Sequence, residues 1–241
     1  MSLTFIAANL IIVIAFTVRS WTGFGGALLC VPLLAQFYDL KFVVPVECTF
    51  EVILSVILVP TLFRDVIRSA FSPLLAGSLV GSVIGVYFLQ SFASGILEVV
   101  LGVVIIIIAL NLWRDSRRPP RRLPPSRTLG LVAGLTGGII GGMFGTPGPI
   151  YVAYLSFHGL DKHAMRATLM VLFAIDYTWR LGLFAYEGLY TLKEFKFALS
   201  LVPALLVGIV VGNLLHRRVD DRSFRNVVNV LLLFAGVLCF F

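Results

Sequence analysis

Apolar residues run along this chain in ten blocks separated by short polar or glycine-rich stretches: residues 3–18, 24–38, 42–63, 71–90, 96–113, 129–144, 148–157, 164–185, 195–215 and 224–241. Runs such as VVIIIIAL at 103–110 are too apolar for a water-facing helix. A helix needs roughly 20 residues to cross about 30 Å of hydrocarbon. Blocks 42–63, 71–90, 164–185 and 195–215 meet that length. Blocks 24–38 and 148–157 do not, and each adjoins a glycine-rich break, TGFGGALLCVP at 22–32 and GGIIGGMFGTPGP at 137–149. Each short block is expected to be a half-helix, paired with the block before it in a hairpin that either spans or re-enters the membrane.

The two halves of the pattern match. The break leading to Pro32 corresponds to the one leading to Pro149. Cys48-Thr49-Phe50 corresponds to Ala167-Thr168-Leu169, 119 positions on, and Gly77, Gly81 and Gly85 correspond to Ala204, Gly208 and Gly212, 127 positions on. This divides the chain into a first repeat at 1–113, a linker at 114–128 and a second repeat at 129–241. Each repeat holds one hairpin and three full spans, and an odd number of crossings inverts the second repeat. The expected fold class is an all-α polytopic membrane protein, an inverted repeat of two halves. The expected localisation is the cytoplasmic membrane, with the lipid bilayer as a partner. The four-residue glycine spacing predicts close helix packing, within one chain or between the protomers of a homodimer.

Composition agrees. The chain is 59% hydrophobic and 13% charged, against about 25% charged in soluble domains. Its net charge of +7 comes from arginines clustered in loops, so membrane orientation explains it and nucleic acid is not an expected partner. RDSRRPPRRLPPSR at 114–127 carries six arginines and is placed in the cytoplasm. A polybasic lipid-binding segment is a second reading of it. Counting outward puts loops 64–68, 158–166 and 216–225 inside, and 39–41, 91–95, 187–194 and both termini outside. Cys30, Cys48 and Cys239 lie in apolar blocks with no C-x-x-C pair, which predicts buried, reduced thiols. The first block has no basic residue before Arg19 and reads as a retained span, not a cleaved signal. His158 and His163 are too few for a metal site, and no Walker motif or Ser-His-Asp set is visible. No metal, cofactor or enzymatic activity is expected.

Broken backbone at membrane depth persists only where protein buries it or where it lines a polar cavity. A helix that starts at such a break points free N–H groups and a positive dipole end at whatever lies there, which makes an anion site. The expected substrate-binding residues at the breaks are Gly25, Gly26, Pro32, Gly142, Thr146 and Gly148, with Pro32 and Pro149 suited to first helical turns. A small anion, held between broken helix ends where the repeats meet, is the expected partner.

The pattern Gly23-x-Gly25-Gly26 followed by Val31-Pro32-Leu33-Leu34, its counterpart near Gly142–Pro149, the triplets at 48–50 and 167–169, and the glycine-spaced helices resemble the TauE/SafE sulfite exporter family over about residues 20–240. Met143 departs from that pattern at a glycine position, and Glu47 and Glu51 flank the first triplet. The resemblance implies outward movement of sulfite or organosulfonates such as sulfoacetate.

Charged and hydroxyl groups inside the blocks complete the expectations. Arg180 suits an oxyanion through bidentate hydrogen bonding, and Asp176, four residues earlier, is placed to pair with it. Thr49 and Thr168 are repeat-related hydroxyl donors; the alternative is a bond to their own helix. Glu47 and Glu51, one turn apart, would leave one proton-binding carboxylate, so both join Asp176 as candidates for proton coupling, unless Glu47 reaches the outer surface. Arg19 is a loop anchor or an anion lure. Together these point to a secondary transporter of small sulfur-containing anions, with an anion channel or a non-transporting assembly factor as the alternatives.

Overall fold

A computed structural model describes residues 3–22, 25–62, 66–115, 126–157, 162–215 and 221–240. Linker residues 116–125, loop residues 158–161 and 216–220, and Gly23 lie outside the described residues. Among the described residues there are ten α-helices and no strand: α1 Leu3–Thr22, α2 Gly26–Ala35, α3 Leu40–Leu62, α4 Arg68–Ser91, α5 Ser94–Asp115, α6 Arg127–Phe144, α7 Gly148–Ser156, α8 Lys162–Tyr186, α9 Leu192–Leu215 and α10 Asp221–Leu238. Each apolar block became one helix. Several helices begin earlier than their block because polar first turns are invisible to an apolar pattern. Ser126 caps α6, its hydroxyl accepting the Leu129 N–H at 3.3 Å. Glu194 reaches back to the Thr191 N–H at 2.8 Å, a reciprocal cap at the start of α9.

Six described helices contain stretches long and apolar enough to cross a membrane, in α1, α4, α5, α6, α8 and α9. The half-helix expectation holds in length: α2 has ten residues and α7 nine, about 15 Å each. The chain is a multi-pass membrane protein.

The helices gather into two compact units, and each unit draws on both halves of the chain. The first unit holds α1, α2, α5, α10, the start of α3 and α9 from Lys196. Here α1 and α9 run parallel. Phe5 and Phe197 meet edge-on at 6.4 Å near their starts. Further along, Thr17 Oγ1 donates to Gly208 O at 3.2 Å and Ser20 Oγ to Asn213 Oδ1 at 2.8 Å. A Cβ at Gly208 or Gly212 would fall 2.7 or 2.5 Å from the carbonyl oxygens of Val13 or Thr17. Helix α10 packs on α5 and on α2, with Gln36 Nε2 donating to Leu238 O at 3.2 Å.

The second unit holds α3 from Pro45, α4, α6, α7, α8 and the start of α9. Its most extensive contact joins α4 to α6. A Cβ at Gly77, Gly81 or Gly85 would fall 2.3, 2.2 or 2.3 Å from the carbonyl oxygens of Leu131, Leu135 and Ile139. Reciprocally, one at Gly134 or Gly138 would fall 2.2 or 2.4 Å from those of Leu74 and Ser78. The contacts rise together in number, so the helices are parallel and touch backbone to backbone. Helix α8 lies parallel to α4. The Ile67 N–H reaches Thr168 Oγ1 at one end, Trp179 Nε1 reaches Leu79 O midway, and Gln90 Nε2 reaches Glu187 O at the other end, each at 3.2 Å.

Candidate functional site

The break between α6 and α7 lies in the second unit. Helix α6 ends at Gly145, whose φ of 70° favours glycine and whose N–H closes on Gly141 O at 2.8 Å. Thr146 and Pro147 follow, and α7 begins at Gly148 with Pro149 in its first turn. Pro149 therefore sits where its missing N–H costs nothing. The break in the first unit starts α2 in a similar way, at Gly26 behind Gly25, whose φ is 101°. Pro32 differs from expectation. Because α2 already begins at Gly26, Pro32 is inside the helix and not in its first turn.

Helix α8 supplies the charged part of the second break. Arg180 and Asp176 form the i, i+4 ion pair, both fully buried. Arg180 Nη1 also donates to Gly141 O at 2.7 Å, and its guanidinium lies 4.2 Å from the centre of the Tyr177 ring. The Tyr177 hydroxyl donates to Gly145 O at 3.2 Å. Two donors from α8 thus cover carbonyls at the C-terminal end of α6, which carries partial negative charge. The other Asp176 oxygen accepts from Ser78 Oγ at 2.6 Å. Since the Ser78 proton is directed at Asp176, the Tyr151 hydroxyl is the donor in its own bond to Ser78. A continuous polar chain therefore runs from α7 through α4 and α8 to the end of α6.

Two buried groups at this break have no hydrogen-bond partner among the described residues, Thr146 Oγ1 and Arg180 Nε. Thr146 is 2% exposed and Arg180 fully buried. Leaving a buried donor unmatched is costly. Both can donate, whereas the α7 start offers only the Gly148 N–H, because Pro149 has none and the Ile150 and Tyr151 N–H groups close on Pro147 O at 3.2 and 3.3 Å. The Asp176 carboxylate balances the guanidinium charge of Arg180 within this cluster.

The remaining expected residues fall elsewhere. Gly142 faces α4, where a Cβ would meet Ser82 O at 2.7 Å. Gly148 opens α7. The hydroxyls of Thr49 and Thr168 are both engaged. Thr49 bonds Pro45 O at 3.0 Å and Tyr190 Oη at 2.8 Å. Thr168 donates to Ala164 O at 2.7 Å and accepts from the Ile67 N–H. The Thr of each half therefore holds a residue of the loop that belongs to the other half. Glu47 and Glu51 are buried on α3, so Glu47 does not reach the surface. Arg19 is 5% exposed on α1. Cys30, Cys48 and Cys239 are free and buried.

Sequence reasoning did not single out Ser78, Tyr151, Tyr177 or Gly141. A signal for the last existed in the doublets Gly137-Gly138 and Gly141-Gly142. One glycine of each doublet faces α4. The other faces the site: a Cβ at Gly137 would meet the Tyr151 ring at 2.2 Å, and one at Gly141 would meet Arg180 Nη1 at 2.9 Å. No group of three or more His, Cys, Asp or Glu side chains able to hold a metal occurs among the described residues.

A family model described as Sulfite exporter TauE/SafE matches residues 8–239, nearly the whole chain. Comparisons with curated proteins and with solved structures gave no significant match.

Proposed function

The chain belongs to the TauE/SafE sulfite exporter family, and from that premise we propose that it is a secondary transporter that exports sulfite or a small organosulfonate across the cytoplasmic membrane. The observation that carries this reading is the α6–α7 break. There Thr146 Oγ1 and Arg180 Nε are buried beside a helix start and unmatched by any acceptor among the described residues. Sulfite and sulfonates offer several oxygens to such donors, and charge-assisted bonds are about twice as strong as neutral ones. Outward movement of an anion is already favoured by an inside-negative potential, by about 2.3 kcal/mol per charge at 100 mV. Proton coupling through Glu47 or Glu51 is therefore an addition to the mechanism and not a requirement of it.

The inverted repeat belongs to the same proposal. First-half α4 packs on second-half α6, and second-half α9 packs on first-half α1. Both pairs are parallel, and both meet through the glycines that the sequence match aligns. The loop after α3 and the loop after α8 are counterparts, yet they lie at opposite ends of the second unit. Opposite ends for equivalent loops support an inversion.

The test is flux in proteoliposomes with sulfite, sulfate, sulfoacetate and chloride. Saturable movement of sulfite or sulfoacetate, lost in Arg180→Ala and weakened in Thr146→Val, is the expected result. Non-saturating chloride conductance would replace the transporter with a channel. No flux from folded protein would leave an assembly role.

A further inference from the structure

A second polar feature of the second unit lies at the opposite end of α6 from the break. A cavity of about 590 Å³ is lined by Arg68, Ser69, Ser72 and Pro73 of α4 together with Ser126, Arg127 and Leu131 around the start of α6. Its volume falls within the roughly 300–1,000 Å³ of small-molecule sites. Among the described residues its polar lining consists of two arginines and three serines, with no acidic residue. Neither Arg68 nor Arg127 makes an ion pair with another described residue.

The packing of α4 on α6 creates this arrangement. Because the two helices are parallel and in contact along their glycines, both N-terminal ends open at the same place. Arg68 is the first residue of α4 and Arg127 the first of α6. A cation at a helix N-terminus opposes the helix dipole, so two of them at adjacent starts are unfavourable for the helices themselves. Like charges brought to one cavity repel further. An anion seated between them reverses both terms: it pairs with the guanidiniums, and it lies at two positive helix ends. The serine hydroxyls add uncharged donors. Ser126 Oγ already accepts from Leu129, which leaves its hydroxyl proton free to point outward.

We propose that this cavity binds a phosphate-type oxyanion, carried by an anionic lipid headgroup or free in solution. Helix α6 separates it from the α6–α7 break by about 27 Å of helix, so it is a site apart from the one that carries the flux. Its position at helix starts next to the arginine-rich linker suits the membrane boundary, where lipid phosphates lie.

The experiment uses the purified full chain and reads binding, not transport. Native mass spectrometry follows retained phosphatidylglycerol against phosphatidylcholine, and thermal unfolding follows added inorganic phosphate. The double variant Arg68→Gln/Arg127→Gln is expected to bind at least ~10-fold more weakly, the scale of losing strong charge-assisted bonds. Ser72→Phe keeps both arginines and fills the cavity; it is expected to lose binding too. Lys196→Gln, which removes a charge at the start of α9, is expected to bind like the wild type. Retention of phosphatidylglycerol without a phosphate effect assigns the site to lipid. A phosphate effect without lipid retention assigns it to a free anion. Absence of both in the wild type, or wild-type binding in both the double variant and Ser72→Phe, overturns the proposal.

Discussion

Arg180 Nη1 lies 2.7 Å from the carbonyl oxygen of Gly141, so a side chain of α8 holds the last turn of α6 at the edge of the break. The same guanidinium is paired with Asp176 on its own helix. Arg180 therefore has a role in holding the fold together as well as the proposed role toward substrate, and the two are separable by mutation. Asp176→Asn or Arg180→Ala alone leaves a buried partner unmatched and is expected to destabilise by about 3–5 kcal/mol. Asp176→Leu combined with Arg180→Met removes both charges and is expected to recover most of that loss. Thermal unfolding in detergent gives the stability, and proteoliposome flux gives the function. A stable double variant without flux gives the pair a role in transport, through Arg180 toward the anion or Asp176 toward a proton. A double variant that still transports makes the pair structural only.

The glycines where α4 meets α6 are predicted to be far less tolerant than Gly182 of α8. In Gly81→Ala the new methyl would sit 2.2 Å from Leu135 O, a backbone atom that moves only if the helices separate. Overpacking of this kind costs about 1–3 kcal/mol or more. Gly182 has nothing within 4 Å of an added Cβ. Gly182→Ala is expected to leave stability unchanged or raise it by up to about 1 kcal/mol through helix propensity. Midpoints of thermal unfolding for the two variants should move in opposite directions or differ by several degrees.

Thr146 and Thr168 offer a matched comparison. The Thr146 hydroxyl has no partner among the described residues, so Thr146→Val removes a burial penalty and is expected to keep or raise stability. If that hydroxyl donates to the transported anion, KM rises roughly tenfold, the scale of one hydrogen bond to a charged group. Thr168→Val removes the acceptor of the Ile67 N–H, 3.2 Å away. It is expected to lower stability by about 1 kcal/mol and leave KM unchanged. The opposite assignment of KM effects would move the anion away from the α6–α7 break.

Much of this was legible from residue pattern alone. All ten helices were marked by apolar blocks, and both breaks by glycines, because hydropathy and backbone freedom are local properties. The Asp176–Arg180 pair was legible too, since i, i+4 neighbours on one helix meet wherever the helix lies. What escaped was every partner supplied from another helix. Ser78 and Tyr151 enter the network only because α4, α7 and α8 converge, and Gly141 enters through its carbonyl, which has no sequence signature. Thr49 and Thr168 were recognised as equivalent, but hydroxyl chemistry alone does not reveal that each is engaged by the opposite half's loop. Pro32 was placed near a helix start because the break was read as reaching it, whereas α2 already begins at Gly26 behind Gly25.

The orientation of the second unit carries the strictest test of the inverted repeat. Within that unit Ile67 sits beside Thr168, and Gln90 sits beside Glu187, at opposite ends of parallel helices. Helix α4 has 24 residues, which gives a separation of about 36 Å, enough to span the hydrocarbon. The positive-inside rule applied to the loop charges predicts that the Ile67 end faces the cytoplasm. Single cysteines at Ser69 and Thr191, both exposed positions, are therefore predicted to label from opposite sides of intact cells or sealed vesicles. Ser69→Cys should react only after permeabilisation, and Thr191→Cys with an impermeant maleimide from outside. The three native cysteines are buried and should contribute little background, and replacing them with alanine removes what remains. Ser126→Cys, at the start of α6, should share the sidedness of Ser69→Cys, since the parallel α4–α6 contact puts the two helix starts together. If Ser69→Cys and Thr191→Cys label from the same side, the loops after α3 and α8 are not inverted counterparts. The sequence match between the halves would then record duplicated packing motifs without a duplicated, inverted topology.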